Sequence, residues 1–285
     1  MDFILLVIGF IFTFLVPGIC VLQFFFPALP ARIKIPLVPI FSVLVSTYFV
    51  YVVSLVMGYS RFSILVAFFF FIPFLSLVFR EFWRDFILIR KTHYLGLLVA
   101  VFVFLIYLLA LYPGIFTKYN GYIVMSSSNW QDTAMHLGII ESLSQGNFPP
   151  QAPYFAGVPL HYYYFTDFHS SILETLYGQF FPRILVYDNP LFAAIFSLLV
   201  YFLAYEVTKD KSISFFSSLL APFIGNYMFV GFIKDWLRGG GPVSLITNNS
   251  YALEFGGRFQ ISPMADYFLQ NRPMMAGLPA FVAVI

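Results

Sequence analysis

The sequence predicts an all-α polytopic membrane protein. Of its 285 residues, 60% are hydrophobic and 10% are charged, whereas soluble proteins are about 45–50% apolar and about 25% charged. The mean hydropathy is +0.86. The formal net charge of +2 is too small to attract a polyanion, so no nucleic-acid partner is expected. The only cysteine, Cys20, excludes an intrachain disulfide and a cysteine metal cluster.

Six charge-free runs are long enough to cross a bilayer, which takes about 20 apolar residues because lipid cannot satisfy exposed backbone groups. The predicted spans are Phe3–Phe26, Leu37–Met57, Phe62–Phe79, Tyr94–Tyr112, Asn189–Tyr205 and Ile213–Ile233. A seventh apolar run covers 273–285, and its helix of about 20 Å is too short to cross. We therefore expect a fragment of a longer chain, cut inside its seventh span. The alternative is a re-entrant or interfacial helix.

The distribution of lysine and arginine predicts the orientation of these spans. Eight such residues fall in three loops: 27–36, 80–93 and 206–212. The only short loop on the other face, 58–61, carries one. By the positive-inside rule the three basic loops are cytoplasmic. The N-terminus and the long loops 113–188 and 234–272 are then exterior, on a multi-pass protein of the cell membrane that is surrounded by membrane lipids.

The 113–188 loop concentrates the polar chemistry. Three of the four histidines lie in it, together with most of the acidic residues outside the cytoplasmic loops. By contrast, the predicted spans carry no ionisable residue at mid-membrane, where ion-coupled transporters usually place them. This pattern favours a functional exterior loop and points away from transport.

Residues Asn129–Gln145 of this loop have the apolar spacing of an amphipathic helix that lies against the membrane or the spans. Asp132 and His136 are four residues apart and therefore project from one face of that helix. One interpretation makes Asp132 a general base or metal ligand with His136 beside it. The other is structural, because a first-turn carboxylate stabilises a helix through its dipole.

A second feature of the loop is the run from Pro159 to His169, which contains three consecutive tyrosines. Thr166 is predicted to cap another helix that runs to about Gln179, with Asp167 in its first turn. The tyrosines form either an aromatic belt at the membrane interface or a wall for a sugar or lipid head group. The residues at issue are His161, Tyr162, Tyr163, Tyr164, Asp167 and His169.

The 234–272 loop supplies positive charge on the same predicted face. Arg258 and Arg272 are the preferred phosphate ligands because arginine forks onto phosphate oxygens, and Lys234 and Arg238 are weaker ones. Arginines at an exterior membrane surface also anchor to lipid phosphates without any catalytic role.

Several short motifs occur together in a fixed order. They are Asp132-Thr-Ala-Met135, Gly146-Asn-Phe-Pro-Pro150, Pro153-Tyr-Phe-Ala-Gly157, Tyr162-Tyr-Tyr-Phe165, Tyr187-Asp-Asn189 and Gly225-Asn226. Over roughly residues 94–285 this order resembles the YYY family of archaeal and Chloroflexi membrane proteins. That family in turn is similar to the GT-C glycosyltransferase superfamily.

The resemblance implies a division of the chain. Residues 1–93 would form an N-terminal three-span unit with a cytoplasmic basic loop. Residues 94–285 would form a GT-C-like core. Its parts are the span 94–112, the exterior loop 113–188, the spans 189–205 and 213–233, the exterior loop 234–272 and the start of a span at 273–285.

The resemblance also implies an activity. GT-C proteins transfer sugars from polyprenyl-phosphate donors outside the cytoplasmic membrane, and their usual catalytic residue is a carboxylate in the first long exterior loop, the place of Asp132. The partners would be a lipid-linked sugar donor and an acceptor that the sequence does not identify. Asp132 and Asp167 could hold Mg²⁺ or Mn²⁺. The open alternatives are a transporter or flippase of lipid-linked material and a non-catalytic membrane scaffold.

Overall fold

The structure of the chain, a computed structural model, describes residues 2–112, 115–124, 133–155, 157–179, 183–223, 234–239 and 272–285. The elements with assigned bounds are, in order, α1 (Asp2–Phe14), α2 (Val16–Phe25), α3 (Ala31–Met57), α4 (Arg61–Thr92), α5 (Tyr94–Leu111), β1 (Thr117–Tyr119), β2 (Tyr122–Val124), α6 (Thr133–Ser144), α7 (Phe165–Tyr177), α8 (Ile184–Thr208), α9 (Lys211–Leu220) and α10 (Arg272–Val284).

The all-α class is confirmed apart from one small antiparallel hairpin, in which Thr117 pairs with Val124 and Tyr119 with Tyr122. In the described part of the chain, five helical segments are long and apolar enough to cross a membrane. They are α1 with α2, α3, α4, α5 and α8. Each corresponds to one of the first five predicted spans.

The sixth and seventh apolar runs do not form complete spans in the described residues. Helix α9 has 10 residues and ends at Leu220, and residues 224–233 of the predicted sixth span lie outside the described residues. The seventh run forms α10, which has 13 residues. Of the six complete spans predicted, five therefore correspond to a described helix of sufficient length and apolarity.

The first span is interrupted at Leu15, and the interruption follows from the sequence. Pro17 has no N–H, and its ring clashes with the carbonyl four residues earlier, so it removes a hydrogen bond of the helix and favours a break there. The adjacent Gly18 lets α2 approach α3 closely. Its N–H donates to Ser42 Oγ at 2.8 Å, and a Cβ at this position would lie 2.1 Å from the Val38 carbonyl oxygen.

Ion pairs show which ends of the helices lie together. At one end, Arg61 pairs with Asp2 at 3.3 Å. At the other, Arg32 pairs with Glu206 at 2.6 Å and Lys34 with Asp85 at 3.0 Å. The three loops predicted to be cytoplasmic therefore share one end of the bundle, and the N-terminus shares the other end with loop 58–61. Which end faces the exterior stays a prediction.

Helix α7 lies inside the bundle, not on its surface. Eleven of its 13 residues are buried. Leu173 and Leu176 pack so closely on Gly9 of α1 that a Cβ at this position would clash with them. Its last turn is held by Arg61, whose Nε donates to the Thr175 carbonyl at 2.8 Å. Toward its N-terminal end, His169 contacts Thr47, which stands ten residues before the end of α3, about 15 Å along that helix.

Two predictions for α7 are wrong, namely its first residue and its N-cap residue. The helix begins at Phe165, and Tyr164 at the N-cap makes no side-chain cap. Thr166 is therefore not the cap, because its hydroxyl instead donates to the Arg272 carbonyl at 2.6 Å. Of the apolar stripe predicted for helix α6, Leu137, Ile140 and Leu143 are buried, whereas Ala134 is exposed. The start of the predicted helix, 129–132, lies outside the described residues.

His93, between α4 and α5 at the end of the bundle that holds the basic loops, is buried with its ring 4.6 Å from that of Tyr205. Burial lowers its pKa, and repulsion from Lys211 and Arg32 lowers it further, while Glu206 opposes this. Folded His93 thus stays neutral at a pH where the unfolded chain binds a proton. Its contribution to stability is present above about pH 6.5 and is lost as the pH falls below that value.

We therefore expect the melting temperature of the purified protein to fall as the pH is lowered from about 7.5 to about 5, and to fall less in His93→Phe. The measurement is a thermal melt in detergent at each pH. His161→Phe is the matched control because His161 is exposed, and it should keep the wild-type slope. An unchanged slope in His93→Phe would contradict the assignment.

Candidate functional site

Side chains from four helices form one buried polar cluster, called here the arginine cluster. α6 contributes His136, α7 contributes Asp167, His169 and Ser170, α8 contributes Asp188 and Asn189, and α10 contributes Arg272. Each of these residues is at most 1% exposed. The cluster therefore connects parts of the chain that are more than 100 residues apart, such as Asp167 and Arg272.

Arg272 stands at the centre of the arginine cluster. It donates to five groups: Asp167 Oδ1 (from Nε, 3.0 Å), Asn189 Oδ1 (from Nη1, 2.5 Å), Met275 Sδ (from Nη1, 3.7 Å), the Thr166 carbonyl (from Nη2, 2.8 Å) and the Ser170 hydroxyl (from Nη2). A guanidinium has five N–H donors. All the donors of Arg272 thus point to groups within the protein.

Asp167 joins Arg272 to His136. Its Oδ1 accepts from Arg272, and its Oδ2 lies 2.8 Å from His136 Nδ1. A carboxylate on Nδ1 favours the tautomer that carries its proton there, which leaves Nε2 as the basic nitrogen of the ring. The ring of Tyr162 lies 5.7 Å from that of His136.

On the other side of Arg272, a second carboxylate and histidine face each other. Asp188 Oδ2 accepts from the Ser170 hydroxyl, and Asp188 Oδ1 lies 3.6 Å from His169 Nε2. Neither of these last two atoms has a hydrogen-bond partner among the described residues. His169 Nδ1 is 3.1 Å from Thr47 Oγ1, so the polar contacts continue to α3.

Thr47 and Thr166 also line a pocket of about 470 Å³, called here the tyrosine pocket. Its walls are the middle of α3 and the entry to α7. The lining residues are Thr47, Tyr48, Tyr51, Tyr163, Tyr164, Phe165, Thr166 and Phe168. Six of these eight side chains carry a hydroxyl group and none carries a charge. The volume is typical of small-molecule sites, which are about 300–1,000 Å³.

The tyrosines of the pocket differ in their exposure. Tyr48 and Tyr163 are 63% and 78% exposed, and Tyr48 lies on a helix long and apolar enough to cross a membrane. The pocket is therefore at the side of the bundle. Burial raises the pKa of Tyr164 to about 12, and contact with Tyr51 raises it as well. Tyr164 thus stays protonated and neutral.

The structure brings together most of the predicted site residues that it describes. His136, Asp167, His169 and Arg272 meet in the arginine cluster, while Tyr163 and Tyr164 line the tyrosine pocket and Tyr162 faces His136. His161, Lys234 and Arg238 are exposed. Asp132 and Arg258 lie outside the described residues.

Several residues of the site were not predicted to belong to it. Asp188 and Asn189 appeared only as part of a sequence motif, and Ser170 had no signal of its own. Thr47, Tyr48 and Tyr51 lie inside a predicted span, where their hydroxyl groups give no indication of a partner. Only the packing of α7 against α3 and α8 places them at the site.

The arginine cluster is not built for a divalent ion. In the described part of the chain, no group of three or more His, Cys, Asp or Glu residues is arranged to hold a metal. Both oxygens of Asp167 are engaged, one by a guanidinium and the other by an imidazole. A cation at this carboxylate would have to displace the positive charge of Arg272. The predicted ligand Asp132 lies outside the described residues.

Comparison with known proteins identifies a family. The sequence profile of the family described as "Uncharacterized membrane protein (DUF2298)" matches residues 45–248, which is more than half of the chain. No curated protein matches the chain significantly. No solved structure matches it significantly either.

Proposed function

The chain belongs to the DUF2298 family of uncharacterized membrane proteins, and on that premise we propose that it is a membrane-embedded glycosyltransferase. In this proposal it takes a sugar from a polyprenyl-phosphate donor at the exterior face. The observation that carries the proposal is the tyrosine pocket at the side of the bundle, next to the arginine cluster. A donor with a polyprenyl chain stays in the lipid, so its sugar must enter the protein from the side.

The proposed reaction is a displacement at the anomeric carbon of the donor. A carboxylate removes the proton of the acceptor hydroxyl, and the acceptor oxygen forms a bond to the anomeric carbon. The bond from that carbon to the phosphate oxygen breaks, and polyprenyl phosphate leaves with the bonding electrons. The protein must therefore supply a base and positive charge for the phosphate.

Asp132 is the proposed base, and His136 lies about one turn further along the same predicted helix. Arg258 is the proposed ligand of the departing phosphate. Arg272 has a different role in this proposal, because its N–H groups are directed to partners within the protein. We assign Arg272, Asp167 and His169 to positioning: they hold α7, and with it the tyrosine pocket, against α8 and α10.

No metal enters this scheme at Asp167, because its oxygens are engaged by Arg272 and His136. A Mg²⁺ or Mn²⁺ ion could bind Asp132 and a donor phosphate, where it would neutralise charge on the leaving group.

The direct test is a transfer assay. The full-length protein, reconstituted in proteoliposomes, is incubated with polyprenyl-phosphate sugars that carry a radiolabelled sugar and with a membrane extract as acceptor source. Time-dependent movement of label from the polyprenyl-phosphate fraction to another product is expected. Empty liposomes are the control. Absence of transfer across a panel of neutral and acidic donors would contradict the proposal.

Transport of lipid-linked material is the second proposed function, and one observation favours it. Polar side chains follow one another, with gaps of at most 3.6 Å between their N and O atoms, from Thr47 through His169, Asp188 and Arg272 to Asp167. Ionisable groups thus lie between helices in the bundle, which weakens the sequence argument against transport. A fluorescent polyprenyl-phosphate sugar that crosses proteoliposomes without chemical change would favour this function over transfer.

A further inference from the structure

We propose that the tyrosine pocket binds the sugar of the lipid-linked substrate and accepts neutral sugars in preference to anionic ones. This inference rests on the proposed function and names the substrate class of the same site. It follows from three properties of the pocket: the chemistry of its wall, the charge behind the wall and the position of its opening.

The wall combines aromatic faces with hydroxyl groups. Tyr48 packs against Phe165 at 5.4 Å between ring centroids, and Tyr51 packs against Phe168 at 5.6 Å. A sugar ring presents apolar C–H faces and a rim of hydroxyl groups, so it matches such a wall on both counts. The Thr47 and Thr166 hydroxyl groups already have partners within the protein. The tyrosine hydroxyl groups are therefore the ones to which a sugar would bond and a hydrocarbon chain would not.

The charge behind the wall disfavours anions. No charged side chain is among the described lining residues. Next to the wall lies the arginine cluster, in which Asp167 and Asp188 pair with Arg272 and also face His136 and His169. The carboxylate of a uronic acid would lose water in the pocket without gaining a cationic partner from the described lining, since the N–H groups of Arg272 are engaged within the protein.

The opening of the pocket suits a substrate that stays anchored in lipid. Tyr48 lies about 14 Å from the end of α3, counted along the helix, and it is exposed at the side of the bundle. A ligand that enters beside Tyr48 can keep its chain in the surrounding lipid while its head reaches the buried Thr47 and Thr166 in the lining of the pocket.

The experiment compares three ligands that share the chain and the phosphate. The full-length protein in lipid nanodiscs is titrated with polyprenyl-phosphate glucose, polyprenyl-phosphate glucuronate and polyprenyl phosphate without sugar, and binding is measured with labelled ligand. The glucose form should bind at least about tenfold more tightly than either of the others. Equal affinity for the glucose and glucuronate forms would overturn the charge preference. Equal affinity for the sugar-free lipid would show that the pocket holds hydrocarbon.

Variants assign the binding to this pocket. Tyr48→Ala removes one aromatic face and should weaken binding of the glucose form about tenfold, while Tyr51→Phe removes one hydroxyl and should weaken it about fivefold. Tyr94→Ala is the matched control, because Tyr94 is 60% exposed, like Tyr48, and lies at the start of α5, at the end of the bundle that holds the basic loops. Wild-type affinity in Tyr48→Ala and Tyr51→Phe, with unchanged melting temperatures, would overturn the inference.

These binding measurements need no turnover, so the two proposals can fail separately. Preferential binding of the glucose form without transfer would keep the sugar pocket and remove the transferase. Transfer that is insensitive to Tyr48→Ala would keep the transferase and remove the sugar pocket.

Discussion

Arg272→Met is expected to destabilise the protein by about 3–5 kcal/mol, the typical cost of breaking a buried ion pair by removing one partner. Arg272 is 1% exposed and compensates Asp167 and Asp188, both of which are fully buried. Without it these carboxylates lose their only arginine partner among the described residues, and Asn189 and the Thr166 carbonyl lose a donor. The measurement is the free energy of unfolding, or the melting temperature, of the purified protein in detergent.

Two further variants separate charge from general damage. Arg90→Met is the matched control, because Arg90 is exposed near the end of α4 and should leave stability close to wild type. In the double variant Arg272→Met with Asp188→Asn, one orphaned carboxylate becomes neutral, so the loss should be smaller than in Arg272→Met alone. A double variant that is less stable than Arg272→Met would show that burial of uncompensated charge is not the cause.

Asp132→Asn is expected to lower transfer by a factor of about 10²–10⁴, the usual contribution of a general base. The amide is nearly the same size as the carboxylate but cannot accept the proton of the acceptor hydroxyl. The measurement is the initial rate of label transfer in the proteoliposome assay at saturating donor. Binding of the donor should change little, so the loss should appear in kcat and not in KM.

Glu81→Gln is the control for Asp132→Asn, because Glu81 is an exposed carboxylate on α4, and it should transfer at the wild-type rate. Asp132→Glu, which keeps the carboxylate but moves it, should recover part of the activity. Full activity in Asp132→Asn, in protein with a wild-type melting temperature, would remove Asp132 from the mechanism and leave the tyrosine pocket without its proposed base.

Much of the architecture could be predicted because hydrophobic length is a local property. The five segments that are long and apolar enough to cross a membrane were predicted from charge-free runs, and their ends agree within several residues except where charged residues extend a helix. α4 is the clearest exception, since it continues to Thr92 beyond the predicted end at Phe79. The apolar stripe of α6 was predicted in the same way, from the spacing of its residues along one face.

Four members of the arginine cluster could also be selected from the sequence, because ionisable residues are rare in so apolar a chain. His136, Asp167, His169 and Arg272 stood out because they lie in the two long loops that were predicted to be exterior. Their mutual arrangement could not be predicted. Asp167 was expected on an exterior surface with a substrate, whereas it is fully buried and binds Arg272, 105 residues away in the chain.

By itself, then, the sequence determined that the protein lies in a membrane, which segments are long enough to cross it and which few side chains carry charge. Only the tertiary structure decided that α7 enters the bundle and that Thr47 and Tyr48 of a spanning helix face it. The physical reason is that a buried charge is tolerated only where distant residues supply its partners. The periodicity of the sequence indicates which face of a helix is polar. It does not indicate whether water or another helix supplies the hydrogen-bond partners of that face.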